Sequence, residues 1–215
     1  NVIVEEVRVP GSANKVDLNV RVKEKLSGNF NIGAGLGGSG TGLSLSAGIE
    51  QDNFLGFGSK VAINVDTGKT SKNYSFSFFN PYHNLDNVSR SFGFNVQTTK
   101  TDNTDTVADY EADRLGLNYS YGLPMTENNR FNLELRYLKW DVESTSGSSD
   151  EILNFLSKNG NKFDNFSFRV TYSIDTRDST TFTRNGFKTS LGTEVFVPGS
   201  DLEYYKVTFR TDSFF

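Results

Sequence analysis

Phe166-Ser167-Phe168-Arg169-Val170-Thr171-Tyr172-Ser173-Ile174 sets an apolar residue at every even position and a polar one at every odd position. A period of two is the mark of a strand with two unlike faces. Working outward, Leu43, Leu45, Ala47 and Ile49 interleave in the same way with Ser44, Ser46, Gly48 and Glu50, and the pattern recurs from Gly42 to Phe209. The apolar set is almost uniformly Leu, Phe, Val, Ile and Tyr, whereas the opposite set is Gly, Ser, Asn, Thr and scattered charges. A soluble barrel fills its taper with inward side chains of mixed size. This composition predicts the reverse, an all-β transmembrane antiparallel β-barrel with apolar side chains facing lipid and polar ones facing a lumen.

The 215 residues include 19 Phe, 9 Tyr, 20 Gly and only 4 Pro, yet the mean hydropathy is -0.46. No run approaches the ~20 consecutive apolar residues of a spanning helix, so a bilayer crossing requires tilted strands of ~9–11 residues. The chain has no Cys, one His and a net charge of -4. Cysteine chemistry is thereby excluded, and no basic face is expected for nucleic acid. No signal peptide opens the chain, and Asn1 starts inside an extended segment, so the sequence reads as an internal stretch of a longer exported protein.

Residues 1–26 differ from residues 27–215. Val2, Val4, Val7 and Val9 lead to a Pro10-Gly11-Ser12 turn, after which Val16, Leu18, Val20 and Val22 alternate with Asp17, Asn19, Arg21 and Lys23. Two strands of a charged, periplasmic domain are expected here, too small to hold together alone. Ten strands are expected beyond Gly28, over 28–37, 42–51, 58–67, 70–79, 87–98, 110–121, 129–142, 164–175, 186–197 and 203–213. Their connections alternate between modest turns (52–57, 80–86, 122–128, 176–185) and links of widely varying length (38–41, 67–70, 99–109, 143–163, 198–202). Outer-membrane barrels pair short periplasmic turns with longer extracellular loops, so the first strand is expected to run outward. Within the longest loop, Asp150 to Leu156 predicts a short helix with an acidic start, ending near Asn159-Gly160 and capping the barrel mouth.

Asp175-Thr176-Arg177-Asp178 is the densest charge cluster and reads as a salt-bridged turn rather than an acid–base pair. His83 follows Pro81-Tyr82 in another turn and has no clustered ligands, so no metal or cofactor is expected. Glu134, Arg136 and Arg169 fall by parity on the lumen side, where a cross-strand ion pair lining the wall is expected. Tyr119, Tyr121, Tyr137, Trp140, Tyr172, Tyr204 and Tyr205 fall near strand ends, as interfacial girdles would. Gly33, Gly35, Gly37, Gly38 and Gly40 do not make a phosphate loop, because no Lys-Ser/Thr and no helix follow. They instead weaken the strand Asn29-Phe30-Asn31-Ile32-Gly33-Ala34-Gly35-Leu36. Either clearance for lumen side chains or barrel curvature, on the one hand, or an edge that opens, on the other, accounts for them.

Gln51-Asp52-Asn53-Phe54-Leu55-Gly56-Phe57-Gly58 resembles the first periplasmic turn of the BamA family, POTRA-bearing outer-membrane barrels. Val9-Pro10-Gly11-Ser12 with Val16-Asp17 resembles the end of that family's last POTRA domain, Asn80-Pro81-Tyr82 its second periplasmic turn, and Val197-Pro198-Gly199-Ser200-Asp201 with Tyr204-Tyr205-Lys206 its fifth extracellular loop. Asp175 to Gly186 resembles a turn of the wider superfamily, except that Thr180 and Thr183 stand where prolines are usual, which questions the turn's rigidity. The resemblance implies a POTRA remnant followed by about ten of sixteen barrel strands. Phe215 would also suit the aromatic end of a complete ten-stranded barrel, a reading disfavoured by the charged strand pair at the start. The resemblance further implies a non-enzymatic protein in the bacterial outer membrane, with its N-terminal segment in the periplasm. Its implied activity is insertion of nascent outer-membrane proteins through a lateral gate at residues 29–36, with lipoprotein subunits and outer-membrane lipids as partners. A polypeptide-translocating POTRA-barrel pore and a diffusion porin remain as alternatives.

Overall fold

In the computed structural model, residues 2–11, 14–23, 27–37, 42–101 and 109–214 are described. Strands β1 (Val2–Arg8) and β2 (Val16–Val22) form a separate two-stranded antiparallel sheet. It is exposed along its whole length and carries an ion pair from Arg21 to Glu5 at 3.4 Å. The remaining strands are β3 (Gly28–Gly37), β4 (Gly42–Phe54), β5 (Ser59–Thr67), β6 (Ser71–Asn80), β7 (Ser89–Lys100), β8 (Tyr110–Pro124), β9 (Asn129–Ser144), β10 (Lys162–Asp175), β11 (Gly186–Phe196) and β12 (Tyr205–Phe214). They make one ten-stranded meander in which each strand pairs antiparallel with its sequence neighbours. All ten expected strands are present. The expected links at 38–41 and within 102–108, with Gly38 and Gly40, lie outside the described residues.

Register fixes the two faces. Gly28↔Gln51, Gln51↔Val61, Val61↔Phe78, Phe78↔Phe92, Phe92↔Tyr119, Tyr119↔Leu135, Leu135↔Phe168, Phe168↔Val195 and Val195↔Tyr205 form one row across all ten strands. The next face over runs Asn31↔Gly48, Gly48↔Asn64, Asn64↔Ser75, Ser75↔Asn95 and Asn95↔Gly116. The first row starts at the short-turn end of β3 and finishes at the long-loop end of β12. Strands are therefore staggered against their neighbours, which is the shear that a barrel wall requires.

Burial is inverted relative to a soluble sheet. Ile32 is 73% exposed and Phe209 66%, both on the apolar face, while Leu138, Phe163, Asn165, Ser167, Glu194 and Phe196 are buried on the polar face. An apolar surface of this extent is stable only against lipid or a partner. No helix among the described residues is long and apolar enough to cross a membrane.

Two features close over the polar face at the long-loop end. Helix α1 (Asp150–Asn159) begins with Asp150 and Glu151 and ends where Gly160 adopts φ 82° and donates its N–H to Leu156 O. Acidic residues in the first turn and a positive-φ glycine after the last follow the helix dipole and its terminal carbonyls. Its Phe155 ring lies 5.6 Å from Phe163. Residues 197–204 stitch themselves to the start of β10, which overhangs β11. The N–H of Phe166 donates to Ser200 Oγ at 2.9 Å, that of Asp164 to Asp201 Oδ2 at 2.6 Å, and that of Leu202 to Asn165 Oδ1 at 3.0 Å.

Two of the expected girdle residues are misplaced by the sequence reading. Trp140 pairs across strands with Phe163 on the polar face, and Tyr204 stacks on buried Phe196 with centroids 4.0 Å apart. Nearness to a strand end does not choose the face; parity and register do. Tyr119, Tyr121, Tyr137, Tyr172 and Tyr205 have the parity of the apolar face.

Candidate functional site

The first candidate is the edge formed by β3. Phe30, Ile32, Ala34 and Leu36 lie on the apolar face, and Asn29, Asn31, Gly33 and Gly35 on the polar one. The Asp52 N–H donates to Ser27 O at 3.0 Å, which sets the phase of the β3–β4 ladder. Odd positions of β3 therefore direct their N–H and C=O groups to β4, while Gly28, Phe30, Ile32, Ala34 and Leu36 direct theirs to the open side. Among the described residues no strand pairs on that side. A Cβ on Gly33 would stand 2.6 Å from Ser46 Oγ, and one on Gly48 would collide with the Asn31 side chain. The glycines thus give room to short polar side chains on the neighbouring strand, and the β3–β4 contact has little side-chain packing on its polar face.

The second candidate is the charge cluster. Arg169 faces Glu134 in one register and Glu194 in the other. Glu194 accepts from Arg136 at 2.9 Å, from Arg169 at 2.5 Å and from Ser167 Oγ at 2.8 Å. Glu134 lies 3.7 Å from Arg136 and 3.6 Å from Arg169. Two carboxylates and two guanidinium groups balance, and Glu194 is only 5% exposed. Chemically this is a brace over three strands. Glu194 was not singled out by the sequence, where its only signal is polar parity with Lys188, Ser190 and Gly192.

The Asp175 cluster forms a turn. Arg177 donates from Nε and Nη2 to the two Asp175 oxygens at 2.8 and 2.7 Å. Asp178 Oδ1 accepts the N–H groups of Arg184 at 3.0 Å and Asn185 at 3.3 Å, which hold its carboxyl below the usual carboxylate range. Thr183, at one of the positions usual for proline, donates to Ser179 O at 2.7 Å. Side-chain hydrogen bonds thus supply order without prolines. His83 packs against Tyr121 with ring centroids 5.9 Å apart.

The profile of the Omp85 superfamily domain matches residues 53–215. This chain belongs to the Omp85 superfamily. Over 226 residues it is 30% identical to the outer membrane protein assembly factor BamA of Neisseria meningitidis serogroup B, with all of this chain and 28% of that protein covered. It also matches the crystal structure of BamA from Haemophilus ducreyi lacking POTRA domains 1–3, at TM-score 0.79 and 26% identity, over 98% of this chain and 42% of that one. The chain therefore spans less than half the length of either relative. As an Omp85 barrel wall, the ten-stranded sheet turns its apolar face to outer-membrane lipid and its polar face to the lumen.

Proposed function

We propose that this chain is part of an outer-membrane protein assembly factor, with residues 1–26 ending its last periplasmic POTRA domain and β3 forming one side of a lateral gate. The observation that carries the reading is the thin hold of β3 on β4, where Gly33 and Gly35 face Ser46 and Ser44 across the polar side of the ladder. When β3 parts from the closing strand of the full barrel, the N–H and C=O groups of Gly28, Phe30, Ile32, Ala34 and Leu36, which the phase of the ladder turns away from β4, template an incoming client strand by β-augmentation. Main-chain bonds do not depend on client sequence, which suits a machine with many substrates. The activity is strand pairing, with no covalent step and no cofactor. Nascent outer-membrane proteins pair at the edge, lipid surrounds the apolar belt, and assembly lipoproteins bind outside the wall. The outward apolar stretch of β3, Phe30 to Leu36, is shorter than that of β10, Phe166 to Ile174, which favours a thinned bilayer at the seam. Similarity to proteins named as assembly factors supports the same reading.

The test uses the full-length protein with Ile32→Cys and a cysteine on the closing barrel strand. Oxidation is expected to abolish insertion of a client barrel into liposomes, and reductant to restore it, while the protein keeps its folded mobility on a gel run without boiling. Undiminished insertion by the oxidised protein overturns the proposal.

A further inference from the structure

The turn from β4 to β5 carries the apolar side chains of Phe54, Leu55 and Phe57, and Leu55 is 75% exposed and Phe57 78%. Hydrogen bonds hold its backbone. Asn53 Oδ1 accepts the Gly58 N–H at 2.7 Å, Asn53 O that of Gly56 at 3.0 Å, and Phe54 O that of Phe57 at 3.2 Å. Leu55 adopts φ 52°, a left-handed conformation that suits Gly, Asn or Asp better than leucine. The turn's own geometry therefore does not call for leucine; a contact made by the side chain does.

A register shift decides which side the turn takes. Gln51 pairs with Val61 on the apolar row and Phe54 pairs with Ser59, so β4 spends Asp52 and Asn53 against Lys60 alone. Such a bulge re-aims the residues beyond it. In plain register Asn53 would share the apolar side and Phe54 would turn to the lumen; with the bulge, Phe54 joins the face of Ile49, Val61 and Ile63. Gln51 does not break that face, because its Nε2 donates to Ser27 Oγ at 2.7 Å and to Asp52 O at 2.9 Å. Phe54 lies two residues of strand beyond the Gln51–Val61 row, about 7 Å, and an interfacial layer of about 5–7 Å flanks the hydrocarbon on each side.

We infer that Phe54, Leu55 and Phe57 insert into the periplasmic leaflet, on the side of the short turns, as a membrane anchor. Continuity selects lipid over protein as the occupant: the turn prolongs the face that the barrel wall already gives to lipid. The anchor is bolted to the foot of β3, where the Asp52 N–H donates to Ser27 O at 3.0 Å and Ser27 Oγ donates to Asp52 O at 2.6 Å. It thus pins the periplasmic end of the β3–β4 hairpin to the bilayer. Its bearing on a gate rests on the function proposed above, whereas the lipid contact does not.

The full-length protein, with Phe57→Cys or Leu55→Cys as its single cysteine, is labelled with bimane and reconstituted in phosphatidylcholine liposomes containing lipid spin-labelled near the glycerol. Asp52→Cys, on the lumen side of the bulge beside Lys60, carries the same label as the reference. Quenching by the spin-labelled lipid is expected to be at least threefold stronger at positions 55 and 57 than at 52, with weaker quenching by iodide, in proteins that keep their folded gel mobility. Lipid quenching no stronger than at position 52 overturns the inference, with strong iodide quenching placing the turn in water and protection from both quenchers placing a protein segment over it. Client insertion does not enter this readout, so a failed gate and a failed anchor are told apart.

Discussion

Glu194 gathers two guanidinium groups and a hydroxyl on one buried carboxylate, so its loss leaves more than a missing contact. Glu194→Ala strands Arg136 and Arg169 with only the longer approaches to Glu134, at 3.7 and 3.6 Å. Breaking a buried pair from one side costs about 3–5 kcal/mol, and the one-third exposure of Arg169 moves this case to about 3 kcal/mol. The shift in urea midpoint of the refolded barrel measures it. Lys60 and Glu50 approach about as closely as Arg169 and Glu194, at 2.6 Å against 2.5 Å, but each is about 40% exposed, so Lys60→Ala is expected to cost under about 1 kcal/mol in the same assay. Distance alone would rank these two pairs as equals; burial separates them. Glu134, Arg136 and Arg169 were legible in the sequence because side-chain parity is a local property. Glu194 was not, because the register between β10 and β11 brings it to them.

At the scale of an element, the turn over residues 176–185 replaces stiff backbone with directed hydrogen bonds. Gly186, at φ 108°, closes it so tightly that a Cβ would strike the Thr176 carbonyl. Asp178 is the clamp, and its carboxyl is held low first by the N–H of Arg184 and then by that of Asn185. A carboxyl depressed in the folded state contributes order fully above the unfolded value of ~3.9, and the contribution fades as pH falls through the lower folded value. Amide exchange at Arg184 and Asn185 is therefore expected to accelerate as pH drops below ~4, relative to the intrinsic rate. Asp178→Asn is expected to remove that dependence and to speed exchange at neutral pH. Strand positions and the short helix were legible from periodicity and terminal residues. The order of this turn was not, since its departure from the proline pattern pointed to looseness and only three-dimensional partners supply the compensation.

For the whole molecule, the phase of the β3–β4 ladder makes two adjacent residues opposite in consequence. The Ala34 N–H points to the open side, so Ala34→Pro leaves the ladder to β4 intact and blocks one templating bond. The protein is expected to keep its folded gel mobility while client insertion falls. Gly33→Pro removes a ladder bond to Ser46, leaves that carbonyl unpaired at a cost of about 1–3 kcal/mol, and is expected to lower both readouts. Equal behaviour of the two variants would refute the assigned phase. The sequence by itself determined the strand count, the two unlike faces and the membrane setting, because alternation and loop length are written in consecutive residues. Tertiary structure alone decided what meets across strands: Glu194 among the arginines, Trp140 beneath Arg114 in the lumen, and which backbone groups of β3 turn away from β4. The physical reason is register, a long-range quantity set by pairing that no local pattern encodes.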